Sequence, residues 1–173
     1  MQLETERLHL RALEPGDVSS LVQLWSDPGV TRFMGGPRDR ADLEKNFAEE
    51  LQADTVEVYD LWPVVEKASG QVIGHCGLLD KEIEGTLEIE LTYVFAPATW
   101  GKGYATEIAQ ALKEYAATTL KLSHLVALVD PENEASGRVA EKIGMQLERE
   151  VVRPGGLVKY LYGMDLTRIN RNL

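Results

Sequence analysis

The residues best suited to chemistry fall in one stretch, Glu88 to Glu107. Alternation over Leu87 to Phe95 predicts a strand, with Leu87, Ile89, Leu91 and Tyr93 on one face and Glu88, Glu90 and Thr92 on the other. Two carboxylates on one strand face can act as a base or simply attract cations. Pro97 stops the strand, and Trp100-Gly101-Lys102-Gly103 turns directly into a helix. The first turn of a helix carries unpaired N–H groups and a partial positive charge, which together make an anion site. Glycine lets the backbone come close to a phosphate, and Lys102 adds positive charge beside it.

Three readings of the turn compete. A phosphate loop of the GxxxxGK[ST] type is absent. A dinucleotide fingerprint, GxGxxG, fails at Thr106 and follows hairpins instead of opening a parallel unit. The third reading is a glycine turn that does no more than cap a helix.

The elements that must position this stretch are legible around it. Leu8 to Ala12 alternates as a strand, and Asp17 is a candidate N-cap for a helix carrying Val18, Leu21, Val22 and Trp25, ending before Asp27-Pro28. Leu43, Phe47 and Leu51 mark a second helix. The loop between the helices holds Arg32, Phe33 and Met34, which could roof a cleft or pack down. Val56 to Val65, Val72 to Leu79 and Leu87 to Phe95 read as strands joined by short turns at Ser69-Gly70 and Glu84-Gly85, hence antiparallel hairpins. Ile108, Leu112, Tyr115 and Thr119 form a helical stripe, and His124 to Val129 is a fully apolar strand. A helix starting at Glu132 or Asn133 ends at Gly144, and strands over Met145 to Val152 and Leu157 to Met164 close the chain. The expectation is one α+β domain over residues 1–173, with a mixed, mostly antiparallel sheet flanked by helices.

Composition narrows the function. The chain carries 18 basic and 28 acidic residues, a net charge of −10. Nucleic-acid binding needs a positive footprint and is not expected, whereas a cationic partner is natural. No apolar run reaches the roughly 20 residues of a membrane span, and the N-terminus lacks a signal-peptide pattern. The single cysteine, Cys76, excludes an internal disulfide and suits a reducing cytoplasm, where it reads as a buried thiol. His9, His75 and His124 lie on separate strands without metal-ligand spacing, so no metal is expected; His75, beside Gly74 and Cys76, is the one with a claim on an active site. Trp25 and Trp62 read as core.

Three motifs resemble the GNAT N-acetyltransferase superfamily. Trp100-x-x-Gly103-x-Ala105 is similar to its [QR]-x-x-G-x-[GA] loop, with Trp in place of Gln or Arg. Asn133-Glu-Ala-Ser136-Gly-Arg138-Val-Ala-Glu-Lys142-Ile-Gly144-Met145 resembles N-x-x-S-x-[RK]-x-x-x-K-x-G-F of the subgroup that includes ribosomal-protein N-terminal acetyltransferases, with Met in place of Phe at its end. The opening Glu6-Arg7-Leu8-x-Leu10-Arg11 is similar to the same subgroup.

The resemblance implies a GNAT-like fold, acetyl-CoA as acyl donor and an amine as acceptor, either a protein N-terminus or a small cationic amine. Backbone N–H groups of Lys102, Gly103, Tyr104, Ala105 and Thr106 would hold the CoA pyrophosphate. Val94 and Phe95 would pair their backbone with the pantetheine amides, in a slot where their strand splays from the one at His124 to Val129. Asn133 would bond the pantetheine arm, or merely cap its helix. Glu90 would be the base, with Glu88 in reserve. Many relatives carry a tyrosine acid where Ala140 stands; Ser136 would protonate the thiolate or hydrogen-bond within its own helix. Arg138 or Lys142 would meet the 3′-phosphate. Transfer would be direct, so Cys76 need not be a nucleophile. Another acyl group such as succinyl, a CoA-binding sensor without catalysis, and a nucleotide-dependent oxidoreductase are the competing functions. Edge strands such as the C-terminal hairpin are where a homodimer would pair.

Overall fold

The computed structural model describes residues 2–53 and 57–170. Strands and helices follow in the order β1 (Leu3–Glu4), β2 (Leu8–Leu10), α1 (Val18–Ser26), α2 (Pro28–Thr31), α3 (Arg40–Glu50), β3 (Leu61–Glu66), β4 (Gln71–Ile83), β5 (Thr86–Phe95), α4 (Tyr104–Thr118), β6 (His124–Val129), α5 (Glu134–Lys142), β7 (Gln146–Arg153), β8 (Leu157–Asp165) and α6 (Thr167–Asn170). The eight strands order as β1-β2-β3-β4-β5-β6-β8-β7. The β5–β6 pair is parallel and pairs Glu90 with Val126. This is the α+β, mostly antiparallel fold expected from the patterning.

The chain forms two compact units. One runs to Gly77 and takes back Tyr93–Tyr104; the other holds Leu78–Thr92 and continues from Ala105. In the first, α1 turns Leu21, Val22, Leu24 and Trp25 inward against Phe47 of α3 and Val94, and Met34 and Leu43 pack around them. Met34 therefore packs down, while the Arg32 guanidinium lies 4.9 Å from the Phe33 ring centroid. In the second, Ile83, Val126, Val151 and Leu161 form a core, and α4 buries Ile108, Ala109, Leu112, Ala116 and Ala117 completely. Its alanines leave no side-chain bulk between that helix face and its neighbours.

Several boundaries differ from expectation. β3 begins only at Leu61; the Val56 end of the expected strand lies outside the described residues, and 57–60 are bend and coil. β4 runs on to Ile83 because Glu84 and Gly85, at φ +50° and +83°, make a tight turn at its end. Both central residues at positive φ suit the twist of a two-residue hairpin. Asp17 is not a side-chain cap for α1. It is buried, and its carboxylate accepts from Arg11 Nη1 at 2.6 Å and from the Glu14 amide at 2.8 Å. A buried charge needs such partners, and pairing with Arg11 supplies them. Asp27, at the end of α1, is instead the side-chain cap of the next helix: it accepts from the Gly29 and Val30 amides and opens the extra turn α2.

Among the described residues no helix is long and apolar enough to cross a membrane. No group of three His, Cys, Asp or Glu side chains could hold a metal among them either.

Candidate active site

The glycine turn lies in the first unit. Pro97–Thr99 form one 3-10 turn after β5, and Trp100 follows in extended conformation. The Trp100 indole Nε1 donates to the Phe95 carbonyl at 2.7 Å, spanning the loop while its ring remains 55% exposed. The side-chain N–H thus provides a donor at the position where the related pattern has Gln or Arg. Gly101 and Gly103 take φ +76° and +83°, and a Cβ on Gly101 would meet open space. It is therefore conformation, not crowding, that demands glycine at 101. α4 begins at Tyr104, so its first amide groups have no partner within the helix. Exposed backbone, exposed Lys102 and a helix start fit a phosphate group.

Arg7 braces this turn. Its Nη1 donates to the Lys102 carbonyl at 2.9 Å, and its guanidinium lies 4.4 Å from the centroid of the Tyr104 ring. The Tyr104 hydroxyl donates to Glu66 Oε1 at 2.5 Å, and Ser69 Oγ donates to Glu66 Oε2 at 2.6 Å. These two hydroxyls, with Lys102 and Arg7, hold the Glu66 carboxyl below the usual carboxylate range. The sequence pattern placed Arg7 in a motif without giving it a partner 95 positions away.

Val94 and Phe95 are buried at the end of β5. The Val94 carbonyl accepts a weak bond from Cys76 Sγ at 3.9 Å, and the Phe95 ring lies 6.5 Å from that of Tyr104. Burial pushes the Cys76 thiol up, so it stays protonated. His75 is also buried. It accepts at Nδ1 from Trp25 Nε1 at 2.9 Å, which leaves its proton on Nε2. Burial pushes its pKa down to about 4, with the Leu61 carbonyl partly opposing. The Trp25 and Phe47 rings meet it edge-on at centroid distances of 6.1 and 5.9 Å. A neutral imidazole packed in this way is part of the core. A separate cavity of about 210 Å³ lies between α1 and the start of β4, lined by Gln23, Asp27, Gln71 and Pro97 among others. The Asp27 carboxylate there is already engaged as the α2 cap.

The second unit holds Glu90, Ala105, Thr106, Asn133 and Ser136. Glu90 is half-buried, and desolvation raises its carboxyl; Lys81, a Leu128 backbone hydrogen bond, Arg153 and Lys159 work against the rise. Glu88 is committed elsewhere: its Oε2 lies 3.1 Å from His124 Nδ1, whose other ring nitrogen faces Glu148 Oε1 at 3.4 Å. The two carboxylates of the face therefore sit in different environments. Asn133 accepts from the Ser136 amide at 3.2 Å and caps α5. That cap uses only the amide oxygen. Arg138 pairs with Glu134 one turn back at 3.1 Å. The sequence reading missed Tyr162, a buried side chain of β8 whose hydroxyl lies 3.1 Å from where a Cβ on Gly137 would stand. Burial, Glu141 and Tyr160 raise its pKa. Only the pairing of β8 with β6 brings that phenol to α5, and no local pattern marks it.

Residues 7–146 match the GNAT acetyltransferase domain family. The chain belongs to the GNAT family of acetyltransferases. An uncharacterized N-acetyltransferase p20 of Bacillus licheniformis is 35% identical over 84% of this chain and 83% of its own length. A GNAT-family acetyltransferase structure from Bacillus anthracis superposes with a TM-score of 0.81 at 28% identity, covering 96% of this chain and 99% of that one. A spermidine N-acetyltransferase from Vibrio cholerae, solved with CoA and spermine, shares the fold at a TM-score of 0.76 and 19% identity, covering 94% and 98% of the two chains. This GNAT chain is accordingly an N-acetyltransferase, and GNAT structures of its fold hold CoA.

Proposed function

We propose that the protein transfers an acetyl group from acetyl-CoA directly to a primary amine, a protein N-terminus or a small cationic amine. The observation that carries this is the Gly101–Gly103 turn at the start of α4, with both glycines at positive φ and the turn braced by Arg7. On this reading the amides of Lys102 to Thr106 hold the pyrophosphate, backbone groups of Val94 and Phe95 meet the pantetheine, and Asn133 bonds the pantetheine arm. The Vibrio cholerae protein that shares the fold binds CoA and spermine, and the net charge of −10 suits a cationic acceptor here.

The amine must be neutral to attack the thioester. Glu90 takes its proton, directly or through water; a desolvated carboxylate with a raised pKa is a stronger base than an ordinary one. Glu88, ion-paired to His124, has less freedom to do so. Ser136 hydrogen-bonds or protonates the departing thiolate. No acyl-enzyme is involved, since the Cys76 thiol is buried and held protonated.

A thermal-shift titration with acetyl-CoA, with NAD and ATP as controls, tests the donor. A ligand at 100 times its Kd stabilises by about 2.7 kcal/mol, which shifts the melting of a domain this size by several degrees. Selective stabilisation by acetyl-CoA supports the reading and opens a screen of amines. An equal response to all three, or none to acetyl-CoA, returns the turn to a helix cap.

A further inference from the structure

We propose that Arg7 is a positioning residue of the donor site: it sets the Lys102–Gly103 peptide so that the Gly103 N–H faces the donor's pyrophosphate. The inference rests on the assignment of the glycine turn to CoA. The peptide is trans, as are all among the described residues, so its C=O and the following N–H point in opposite directions. Arg7 Nη1 holds the Lys102 carbonyl at 2.9 Å. The Gly103 N–H is thereby turned away from the arginine.

Arg7 is itself anchored. Its carbonyl accepts from the Lys67 amide at 2.9 Å, beside the β3–β4 turn. Its guanidinium carbon lies over the ring of Tyr104, whose hydroxyl is tied to Glu66. A Cβ on Gly103 would stand 3.5 Å from Arg7 Nη2, so the arginine runs alongside the turn in van der Waals contact. Two flexible glycines would otherwise leave this peptide free to rotate, and presenting donors in a fixed direction is what makes an anion cradle effective. A lysine could reach the carbonyl but could not also stack a planar fork on the tyrosine. The guanidinium further adds positive charge next to the site.

The test compares acetyl-CoA with S-acetyl-pantetheine, which lacks the pyrophosphate and nucleotide, on the full chain as wild type, Arg7→Ala and Arg7→Lys, with melting temperatures recorded for each. Arg7→Ala should raise KM for acetyl-CoA on the order of tenfold, the weight of one charge-assisted hydrogen bond. Its kcat and its KM for S-acetyl-pantetheine should stay at wild-type values, and Arg7→Lys should fall between. Equal losses with both donors, or no loss with acetyl-CoA in either folded variant, would overturn the proposal. If wild type fails to bind acetyl-CoA at all, the assignment of the turn to CoA falls and takes the proposal with it. Should the alanine variant not fold, the lysine variant decides alone through the same ratio of KM values.

Discussion

The Glu148 side chain crosses β8 over Gly163: its Oε1 lies 2.0 Å from where a Cβ on residue 163 would be. The missing side chain lets Glu148 reach from β7 to His124 on β6, and the register shift between Leu147 and Arg149 aims it there. Arg149 steadies the same carboxylate at 3.7 Å. Burial disfavours the His124 imidazolium, but its contacts with Glu88 and Glu148 outweigh that and raise its pKa.

Gly163→Ala should therefore push Glu148 aside and lower the pKa of His124, read by NMR titration, while the Glu88 contact remains. A raised pKa adds stability that is fully present below the unfolded value, near 6.5, and is lost as pH rises through the folded value. Because the groups are partly exposed, the difference should stay within about 1 kcal/mol. Wild type should melt closer to the variant in alkaline buffer than near pH 6. An unchanged His124 titration would show that Glu148 does not act on it.

Glu90→Gln should reduce kcat on the order of 10² to 10⁴-fold, the usual weight of a general base, while acetyl-CoA affinity measured by calorimetry stays put. In wild type, kcat should fall as pH drops through a pKa above the ordinary carboxylate range, since the protonated form cannot accept the amine's proton. The variant should lack that acid limb. A raised carboxyl pKa also means that ionised Glu90 costs stability above its folded pKa. The melting temperature of the variant should then match or exceed wild type at neutral pH. Undiminished turnover would transfer the role to another group, and absence of turnover in wild type with intact CoA binding would favour a sensor.

The order of elements was legible because it rests on periodicity: the α1 stripe, the apolar β6 and the paired-turn hairpins each carry a local signal. The short β1, α2 and α6 were not, since two to four residues hold no period. The same division applies to the site. Gly101, Gly103 and Asn133 announce themselves by residue type, whereas the grip of Arg7 on Lys102, the link from Trp25 to His75 and the reach of Tyr162 to α5 depend on pairing distant in sequence. Asp17 shows how a local rule fails: its type suits a cap, but a nearby arginine and burial claim the carboxylate first.

Trp100 offers a test of the loop that joins β5 to α4. Trp100→Ala removes the indole bond to Phe95 and should lower stability by about 0.5–1.5 kcal/mol, the net worth of one hydrogen bond, with weaker acetyl-CoA binding. Trp100→Gln restores a side-chain N–H donor of the related pattern and should recover much of both losses. Trp100→Phe keeps a ring without the donor. If it behaves as wild type in melts and in acetyl-CoA titration, packing and not the hydrogen bond holds the loop.

Gly74 faces the end of β5 so closely that a Cβ would lie 2.7 Å from the Val94 carbonyl oxygen and 2.8 Å from Phe95 Cδ1. The obstacle is backbone on one side and a buried ring on the other, so neither can swing clear. Gly74→Ala should thus displace β5 where Val94 and Phe95 are proposed to meet the pantetheine. The expected cost is about 1–3 kcal/mol of stability, as for other overpacked interiors, together with weaker binding of both acetyl-CoA and S-acetyl-pantetheine. Loss toward both donors separates this position from Arg7, whose effect should follow the pyrophosphate alone. A variant that melts lower yet binds S-acetyl-pantetheine as tightly as wild type would remove Val94 and Phe95 from the donor site, because their backbone would have moved without consequence for the arm they are proposed to hold.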